Sequence, residues 1–120
     1  MIPAAFEEGV RLFNSGRYFE CHEALEALWL EAPAESRDLY QGLIQTAVAF
    51  HHAERGNPEG ARKCLARGLG HLKAFRGRKV PIDLKPLIEA IEKALDLVQG
   101  GRDIPRPFPR LKLLASSENS

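Results

Sequence analysis

The chain has 120 residues, of which 44% are hydrophobic and 28% charged, with a net charge of +1. This length fits one domain with its own hydrophobic core, and the composition excludes a disordered chain. The most apolar run, residues 43–50, is far shorter than the roughly 20 residues of a membrane span, so we expect no membrane-spanning segment. No basic segment precedes an apolar run at the N-terminus, so we also expect no secretory signal.

Apolar residues recur at helical spacing almost throughout the chain, and no run alternates long enough to predict a strand. The pattern predicts an all-α fold of about five helices, arranged in antiparallel hairpins as a compact bundle. Ser36 and Asn57 are expected to cap the third and fourth helices, because their side chains accept hydrogen bonds from first-turn amides. The first four helices should cover roughly residues 3–14, 18–31, 36–55 and 58–75, and a fifth should follow residues 80–83 and end at Gly100-Gly101.

Residues 1–100 are expected to form a single helical-bundle domain, followed by a Pro-rich, partly flexible tail over residues 101–120. Within the domain, residues 16–25 align with residues 56–65 at an offset of 40. Each segment would contain the tight turn of a helical hairpin, as in tetratricopeptide repeats. Two units are fewer than the three or so that open arrays need, so we expect a closed bundle with the fifth helix as a lid.

Cysteine usage favours a cytoplasmic location. Cys21 and Cys64 lie in apolar helical contexts, and neither belongs to a Cys-x-x-Cys or Cys/His ligand spacing. Two buried thiols in a reducing compartment are the simplest interpretation of this pattern.

The charges are distributed unevenly along the chain. Residues 1–60 carry a net charge of −6 and residues 61–120 a net charge of +7, with seven basic and no acidic side chains between Gly60 and Ile82. Nucleic acid is an unlikely partner for this basic block, because only Phe75 is aromatic within it and no base-reading motif is present. The asymmetry equally suits a monomer or a homodimer in which the basic half faces the acidic half.

Two helices each carry a line of polar side chains through an otherwise apolar surface. In the second helix His22 and Glu26 lie one turn apart between two apolar strips, with Glu23 at the edge. The polar line of the third helix consists of Arg37, Gln41, Gln45 and His52. Because burying polar groups is costly unless they are hydrogen-bonded, we expect the two lines to meet in a buried seam.

The expected turn near residue 34 sets the contacts within this seam. Residues equidistant from the turn of an antiparallel pair face each other, so Glu26 should contact Gln41 or Arg37. By the same reasoning His22 should contact Gln45. Removal of Glu26 should then leave a buried donor unpaired and destabilise the domain by about 1–3 kcal/mol.

Three interpretations of the seam remain open. It could be a structural hydrogen-bond network that fixes helix register, or a pocket for a small polar ligand or a partner's side chain. It could also be a metal site in which His22, Glu26 and His52 supply imidazole and carboxylate ligands. The metal signal is weak, because His-Glu-x-x-Glu lacks the second histidine of the zincin motif. His52 should lie open to a ligand near the first hairpin turn.

One ordered set of residues reads Phe13-Asn14-x-Gly16-x-Tyr18-Phe19-Glu20-x-His22-Glu23-x-Leu25-Glu26-x-x-Trp29, and continues from Arg37 as Arg37-x-x-x-Gln41-Gly42-Leu43-Ile44-Gln45. This set resembles the signature of the family catalogued as domain of unknown function 309, over about residues 6–75. The resemblance implies a small, prokaryotic, all-helical protein and brings no established activity. It marks eight signature residues, namely His22, Glu23, Glu26, Trp29, Arg37, Gln41, Gln45 and His52.

Two classes of function follow from the sequence. The first is a small cytosolic helical scaffold that binds a protein or a small polar ligand beside the His/Glu/Gln seam. The alternative is a metal-dependent, hydrolase-like enzyme that uses His22, Glu26 and His52, with a divalent metal as its cofactor. No Gly-x-Ser-x-Gly motif is present, so the sequence gives little support to nucleophilic serine catalysis.

Overall fold

A computed structural model describes residues 2–114, and five α-helices hold about 69% of these residues. The helices are α1 (Ala4–Asn14), α2 (Tyr18–Glu31), α3 (Ala34–Glu54), α4 (Pro58–Lys73) and α5 (Leu84–Gln99). Residues 2–114 contain no β-strand. An isolated antiparallel β-bridge joins Ile82 to Leu113. The predicted all-α architecture is therefore confirmed.

Local sequence chemistry explains where the helices begin and end. Asn57 caps α4 as predicted, since its Oδ1 accepts a hydrogen bond from the Gly60 amide at 3.1 Å. The predicted cap of α3 is wrong, because the helix begins at Ala34 and Ser36 lies inside its first turn. Pro33 precedes α3 with an extended backbone and a fixed φ of −66°, which allows the helix to begin immediately after it.

The two hairpin turns repeat the same backbone geometry. Gly16, between α1 and α2, has a φ of 76°, and Gly56, between α3 and α4, has a φ of 71°. This left-handed conformation favours glycine, because a Cβ atom would be strained there. The equivalent residues Cys21, Ala61, Leu25 and Leu65 are all fully buried. The internal similarity thus corresponds to two helical hairpins that pack through matched positions.

Helices α3 and α4 approach each other closely at two glycines. A Cβ atom on Gly68 would lie 2.9 Å from Oγ1 of Thr46 and 3.1 Å from the carbonyl oxygen of Gly42. A Cβ atom on Gly42 would lie 2.6 Å from a methyl carbon of Leu72. The buried Thr46 hydroxyl donates to the Gly42 carbonyl at 2.7 Å, so its polar group is satisfied inside the crossing.

The C-terminal segment packs along the bundle. The Asn14 side chain at the end of α1 donates to the Leu111 carbonyl at 2.8 Å and accepts from the Leu111 amide at 2.7 Å. Phe108 packs against the buried Phe50 of α3, with ring centroids 4.9 Å apart. The segment therefore contacts α1 through Leu111 and α3 through Phe108, while residues 115–120 of the expected flexible tail lie outside the described residues.

Both cysteines are buried and unpaired, as expected for reduced thiols, with Cys21 fully enclosed beside α1. Each helix packs chiefly against its neighbours in the chain, and α3 lies between α2 and α4. Within residues 2–114, no helix combines the length and apolarity needed to cross a bilayer.

Candidate functional site

The solvent-facing side of α3 forms the middle of a surface shared by three helices. On one side of it the guanidinium of Arg37 lies over the indole of Trp29 from α2, 4.4 Å from the ring centroid. On the other side Oδ1 of Asp38 is 3.0 Å from Nδ1 of His71 from α4. Helices α2 and α4 therefore flank the outer side of α3, opposite the buried Phe50. We call this surface of α2, α3 and α4 the signature face.

The structure places the sequence-predicted residues on or at the edge of the signature face. None of the eight belongs to the fully buried core. His22, Trp29, Arg37, Gln41, Gln45 and His52 are partly buried, and Glu23 and Glu26 are exposed. These residues lie on the neighbouring helices α2 and α3, partly or fully exposed rather than enclosed in an internal seam.

The predicted burial of Glu26 is wrong. Its side chain is 52% exposed, because it lies on the outer side of α2 rather than against α3. Within the described residues, no hydrogen bond joins Glu26 to Gln41 or Arg37, and none joins His22 to Gln45. Arg37 instead stacks on Trp29 of α2.

His22 is a partly buried residue of this face with an unsatisfied ring nitrogen. Its side chain is 24% exposed, and Nε2 lies 3.8 Å from Oε1 of Glu26, too far for a good hydrogen bond. Its Nδ1 atom is buried and has no hydrogen-bond partner among the described residues. A buried ring nitrogen without a partner is uncommon in folded proteins, and it leaves one polar group of this face unsatisfied.

The structure does not assemble the three-residue metal set expected from the sequence. His52 faces the α3–α4 turn, where its Nδ1 lies 3.1 Å from Nδ2 of Asn57. His22 and Glu26 form a loose pair on α2. Across residues 2–114, no three His, Cys, Asp or Glu side chains are grouped closely enough to hold a metal ion. A zinc site needs three or four such ligands converging at about 2 Å.

Sequence reasoning missed two exposed apolar side chains beside the signature residues. Phe19 and Leu30 of α2 are 53% and 65% exposed, and they are the large hydrophobic residues that the described chain leaves open to solvent. Helical spacing could have predicted this exposure. Phe19 and Leu30 lie on the same side of α2 as Glu26, away from the buried Leu25. In the sequence, Phe19 and Leu30 form one of the two apolar strips that flank His22 and Glu26.

A small group of aromatic rings and imidazoles continues from Phe19 onto α3. The ring of Phe19 lies 5.6 Å from the His22 ring and 5.7 Å from the His51 ring, measured between centroids. His51 in turn lies 6.2 Å from His52. This side of the face therefore presents flat, partly polar rings, which are frequent contact residues at protein interfaces.

The cysteines do not supply a nucleophile. Burial raises the pKa of the Cys21 thiol to about 12, and burial also raises the pKa of Cys64. Both groups are therefore thiols rather than thiolates near neutral pH. Because the thiolate is the nucleophilic form, the structure gives no support to cysteine catalysis.

Several surface clefts of the described residues lie away from the signature residues. Five clefts have volumes of about 220 to 570 Å³, and no signature residue lines any of them. One of about 360 Å³ lies between the α3–α4 turn and the C-terminal segment, with Glu54, Arg102 and Arg106 at its edge. These five clefts are therefore separate from the signature residues.

The fold and this face define a small all-α protein built from two helical hairpins, with a fifth helix and a packed C-terminal segment. The chain belongs to the family described as Domain of unknown function (DUF309), whose model matches residues 6–64. The match spans both helices that carry the eight signature residues, so the family resemblance drawn from the sequence is confirmed.

Two bacterial relatives resemble nearly the whole chain. One is "Uncharacterized protein YpuF" of Bacillus subtilis (strain 168), which is 42% identical over 120 residues, covering 94% of this chain and 69% of the relative. Another, named "Uncharacterized protein", comes from Aquifex aeolicus (strain VF5) and is 31% identical over 117 residues. That alignment covers 93% of this chain and 32% of the Aquifex protein, which is therefore much longer.

Proposed function

We propose that this protein is a non-enzymatic helical scaffold that binds a partner protein on the signature face. One observation carries the proposal: the eight signature residues lie together on or at the edge of one face, with the exposed Phe19 and Leu30 beside them. An exposed phenylalanine on a soluble domain costs hydration free energy, and such residues often mark contact surfaces. Trp29 and Arg37 also belong to residue types that contribute strongly to binding at interfaces.

A protein partner suits this face better than a small ligand does. Sites for small molecules are concave and enclose most of the ligand. Five clefts of the described residues are lined by residues other than the signature residues. A second helical surface could cover the signature face and contact the exposed Phe19 and Leu30 side chains.

The alternative metal-dependent enzyme finds less support in the geometry. His52 faces Asn57 rather than the His22–Glu26 pair, so the proposed ligands do not converge. Elemental analysis of protein purified without an affinity tag tests this alternative directly. We expect less than stoichiometric zinc, iron and manganese, and metal content unchanged by His22→Ala. Stoichiometric metal that is lost in the His22→Ala variant would favour the enzyme instead.

The scaffold is proposed to act in the cytoplasm of prokaryotic cells. Both relatives are bacterial, and both cysteines are free and buried, which suits a reducing compartment. Fractionation of cells that express the untagged chain at its natural level would check this location.

Site-specific photo-crosslinking in the native host tests the binding proposal. Benzoylphenylalanine is placed at position 19 on the signature face and, as a control, at position 7, which is exposed on α1. We expect a discrete covalent adduct from position 19 and none from position 7. The absence of an adduct from position 19 under the same conditions would show that no protein occupies this face.

A further inference from the structure

We infer that the partner on the signature face is a second copy of this chain, docked so that α2 of each copy packs against α4 of the other. The inference rests on the proposed function, because it names the occupant of the same face. It depends on three features of the described residues: the opposite charges of α2 and α4, their complementary profiles, and the levels at which these charges lie along α3.

The first feature is electrostatic. Helix α2 carries Glu20, Glu23, Glu26 and Glu31 and no lysine or arginine, whereas α4 carries Arg62, Lys63, Arg67 and Lys73 against a single acidic residue, Glu59. Some of these charges are already paired within the monomer: Arg62 binds Glu59, and Lys73 lies 3.9 Å from Glu92 of α5.

Glu20 is also paired, with Arg17, but other charges of the two helices have no partner of opposite sign. Glu23 on α2, and Lys63 and Arg67 on α4, form no ion pair with any residue in the range 2–114. They lie on the outer sides of the two helices that border the signature face. An acidic helix on one border and a basic helix on the other make this face complementary to a rotated copy of itself, because such charges steer association and fix orientation.

The second feature is shape. Phe19, Glu23, Glu26 and Leu30 follow each other at helical spacing on one side of α2, so two protruding apolar side chains flank two carboxylates. The corresponding side of α4 has small side chains, because Ala66 and Gly70 lie between its cations. No atom comes within 4 Å of a Cβ built on Gly70. The side of α2 with large apolar side chains and the side of α4 with small ones could therefore pack closely.

The third feature is register. Trp29 contacts Arg37, and His71 contacts Asp38. Because Arg37 and Asp38 are consecutive residues of α3, Trp29 and His71 lie at the same level along that helix. Helices α2 and α4 both run antiparallel to α3. Glu26 lies about one helical turn before Trp29 in α2, and Arg67 lies about one turn before His71 in α4. Glu26 and Arg67 therefore also lie at the same level along α3, on opposite borders of the face.

In the inferred dimer, the two-fold axis runs parallel to α3, between the signature faces of the two copies. The shared levels along α3 then determine which residues face each other. Rotation about the axis carries α4 of one copy over α2 of the other and keeps the level along α3 unchanged. Glu26 of each copy then faces Arg67 of the other copy. The pairing occurs twice, as in any isologous dimer, so a single complementary pair of helices closes the assembly instead of propagating it.

Sedimentation equilibrium of the untagged full chain tests the inference. We expect a reversible monomer–dimer equilibrium whose dissociation constant rises with salt, because charged groups at the contact are screened. The single variants Glu26→Arg and Arg67→Glu should each weaken the dimer by about tenfold or more, because like charges then face each other twice. A chain that stays monomeric at every concentration overturns the inference.

Charge exchange then tests the specific pairing of α2 with α4. The double variant E26R/R67E should recover the dimer, and a mixture of the E26R and R67E single variants should form a mixed dimer. Two controls on other helices, Glu7→Arg on α1 and Lys93→Glu on α5, should leave the dissociation constant unchanged, since both residues are exposed and lie off the face. Tighter association of E26R would indicate that α2 faces α2, and would refute the proposed geometry.

The crosslinking experiment separates this inference from the proposed function. An adduct from position 19 with twice the mass of the chain supports both. An adduct that contains a different protein, from a chain that sediments as a monomer, retains the binding function and refutes the second copy. The variants remain informative because the substituted side chains are exposed, and far-ultraviolet circular dichroism checks that each is folded.

Discussion

The guanidinium of Arg37 lies 4.4 Å from the centre of the Trp29 ring, and this contact joins α2 to α3 next to the turn that connects them. A cation stacked on an indole at a partly exposed site is worth about 0.5–1 kcal/mol. The contact also keeps Trp29 flat against the signature face instead of projecting into solvent. It is the interaction that replaces the expected hydrogen bond between Glu26 and Arg37.

A double-mutant cycle on Trp29 and Arg37 should show an interaction free energy of about 0.5–1 kcal/mol in urea denaturation. Trp29 is the single tryptophan of the chain, so its fluorescence reports on the same contact. Arg37→Ala should change that emission, while Arg55→Ala, on the exposed end of α3, should not. Additive effects of the two substitutions would contradict a stabilising stack.

The glycine pair at the crossing of α3 and α4 should be sensitive to a single methyl group. Gly68→Ala brings a Cβ to 2.9 Å from Thr46 Oγ1 and 3.1 Å from the Gly42 carbonyl oxygen, so backbone must move. We expect a loss of about 1–3 kcal/mol of unfolding free energy by urea denaturation.

Gly70→Ala provides the matched control, two residues along the same helix. No atom lies within 4 Å of its Cβ position, so the added methyl meets open space. Alanine has the higher helix propensity, and the substitution should stabilise the protein by about 0.5–1 kcal/mol. Equal effects of the two substitutions would show that α3 and α4 do not cross closely at Gly68.

The fold could be predicted from the sequence because helix signals are local. The apolar spacing within each helix, the glycine turns at Gly16 and Gly56 and the Asn57 cap all act within a few residues. The start of α3 was misplaced because two adjacent signals compete there: Ser36 is a good cap, but the extended backbone at Pro33 allows the helix to begin earlier.

The candidate site could be predicted only in part, because burial depends on tertiary packing. Helical periodicity predicts one line of polar residues on α2 and another on α3, and the two helices pack against each other. It could not show which side of α2 faces solvent, since Phe19 and Leu30 mimic a buried strip although both are exposed. With Glu26 52% exposed, Glu26→Ala should cost no more than about 0.5 kcal/mol, instead of the larger loss that a buried seam required.

The C-terminal segment should depend on the two hydrogen bonds between Asn14 and Leu111. Asn14→Ala leaves the amide and carbonyl of the buried Leu111 without partners, which should cost about 1–3 kcal/mol. Ser15→Ala is the control, because the Ser15 hydroxyl donates only to the local Arg11 carbonyl at 2.8 Å in an exposed position. We expect that variant to change stability by less than about 0.5 kcal/mol.

Hydrogen exchange should locate the effect of Asn14→Ala. The amide of Leu114 donates to the Pro81 carbonyl and that of Asp83 to the Lys112 carbonyl, both at 2.9 Å, so these amides report on the attachment of the segment. In Asn14→Ala they should exchange faster, while amides in the α3–α4 crossing keep their protection relative to global unfolding. Unchanged exchange at Leu114 would mean that Asn14 does not hold the segment in place.

The protein should lose stability in alkaline solution, with the loss beginning above pH 9. Burial raises the pKa of Cys21 from 9.0 to about 12, and burial with the nearby Glu54 carboxylate raises the pKa of Tyr18 from 10.0 to about 12. Between these values the unfolded chain has released protons that the folded chain still holds. The number of bound protons is then larger in the folded state, so the free energy of unfolding falls as pH rises, by up to about 1.4 kcal/mol per pH unit for each group.

Urea denaturation at roughly pH 8 and roughly pH 11 measures this dependence. Replacement of Cys21 by alanine removes one of these groups, so the alkaline loss should become smaller although the variant is less stable at pH 8. Arg17→Ala serves as a control for general charge effects, because that exposed side chain pairs only with Glu20 on the surface. If the Cys21→Ala and wild-type proteins lost stability with the same slope above pH 9, the buried thiol would not be the group that titrates.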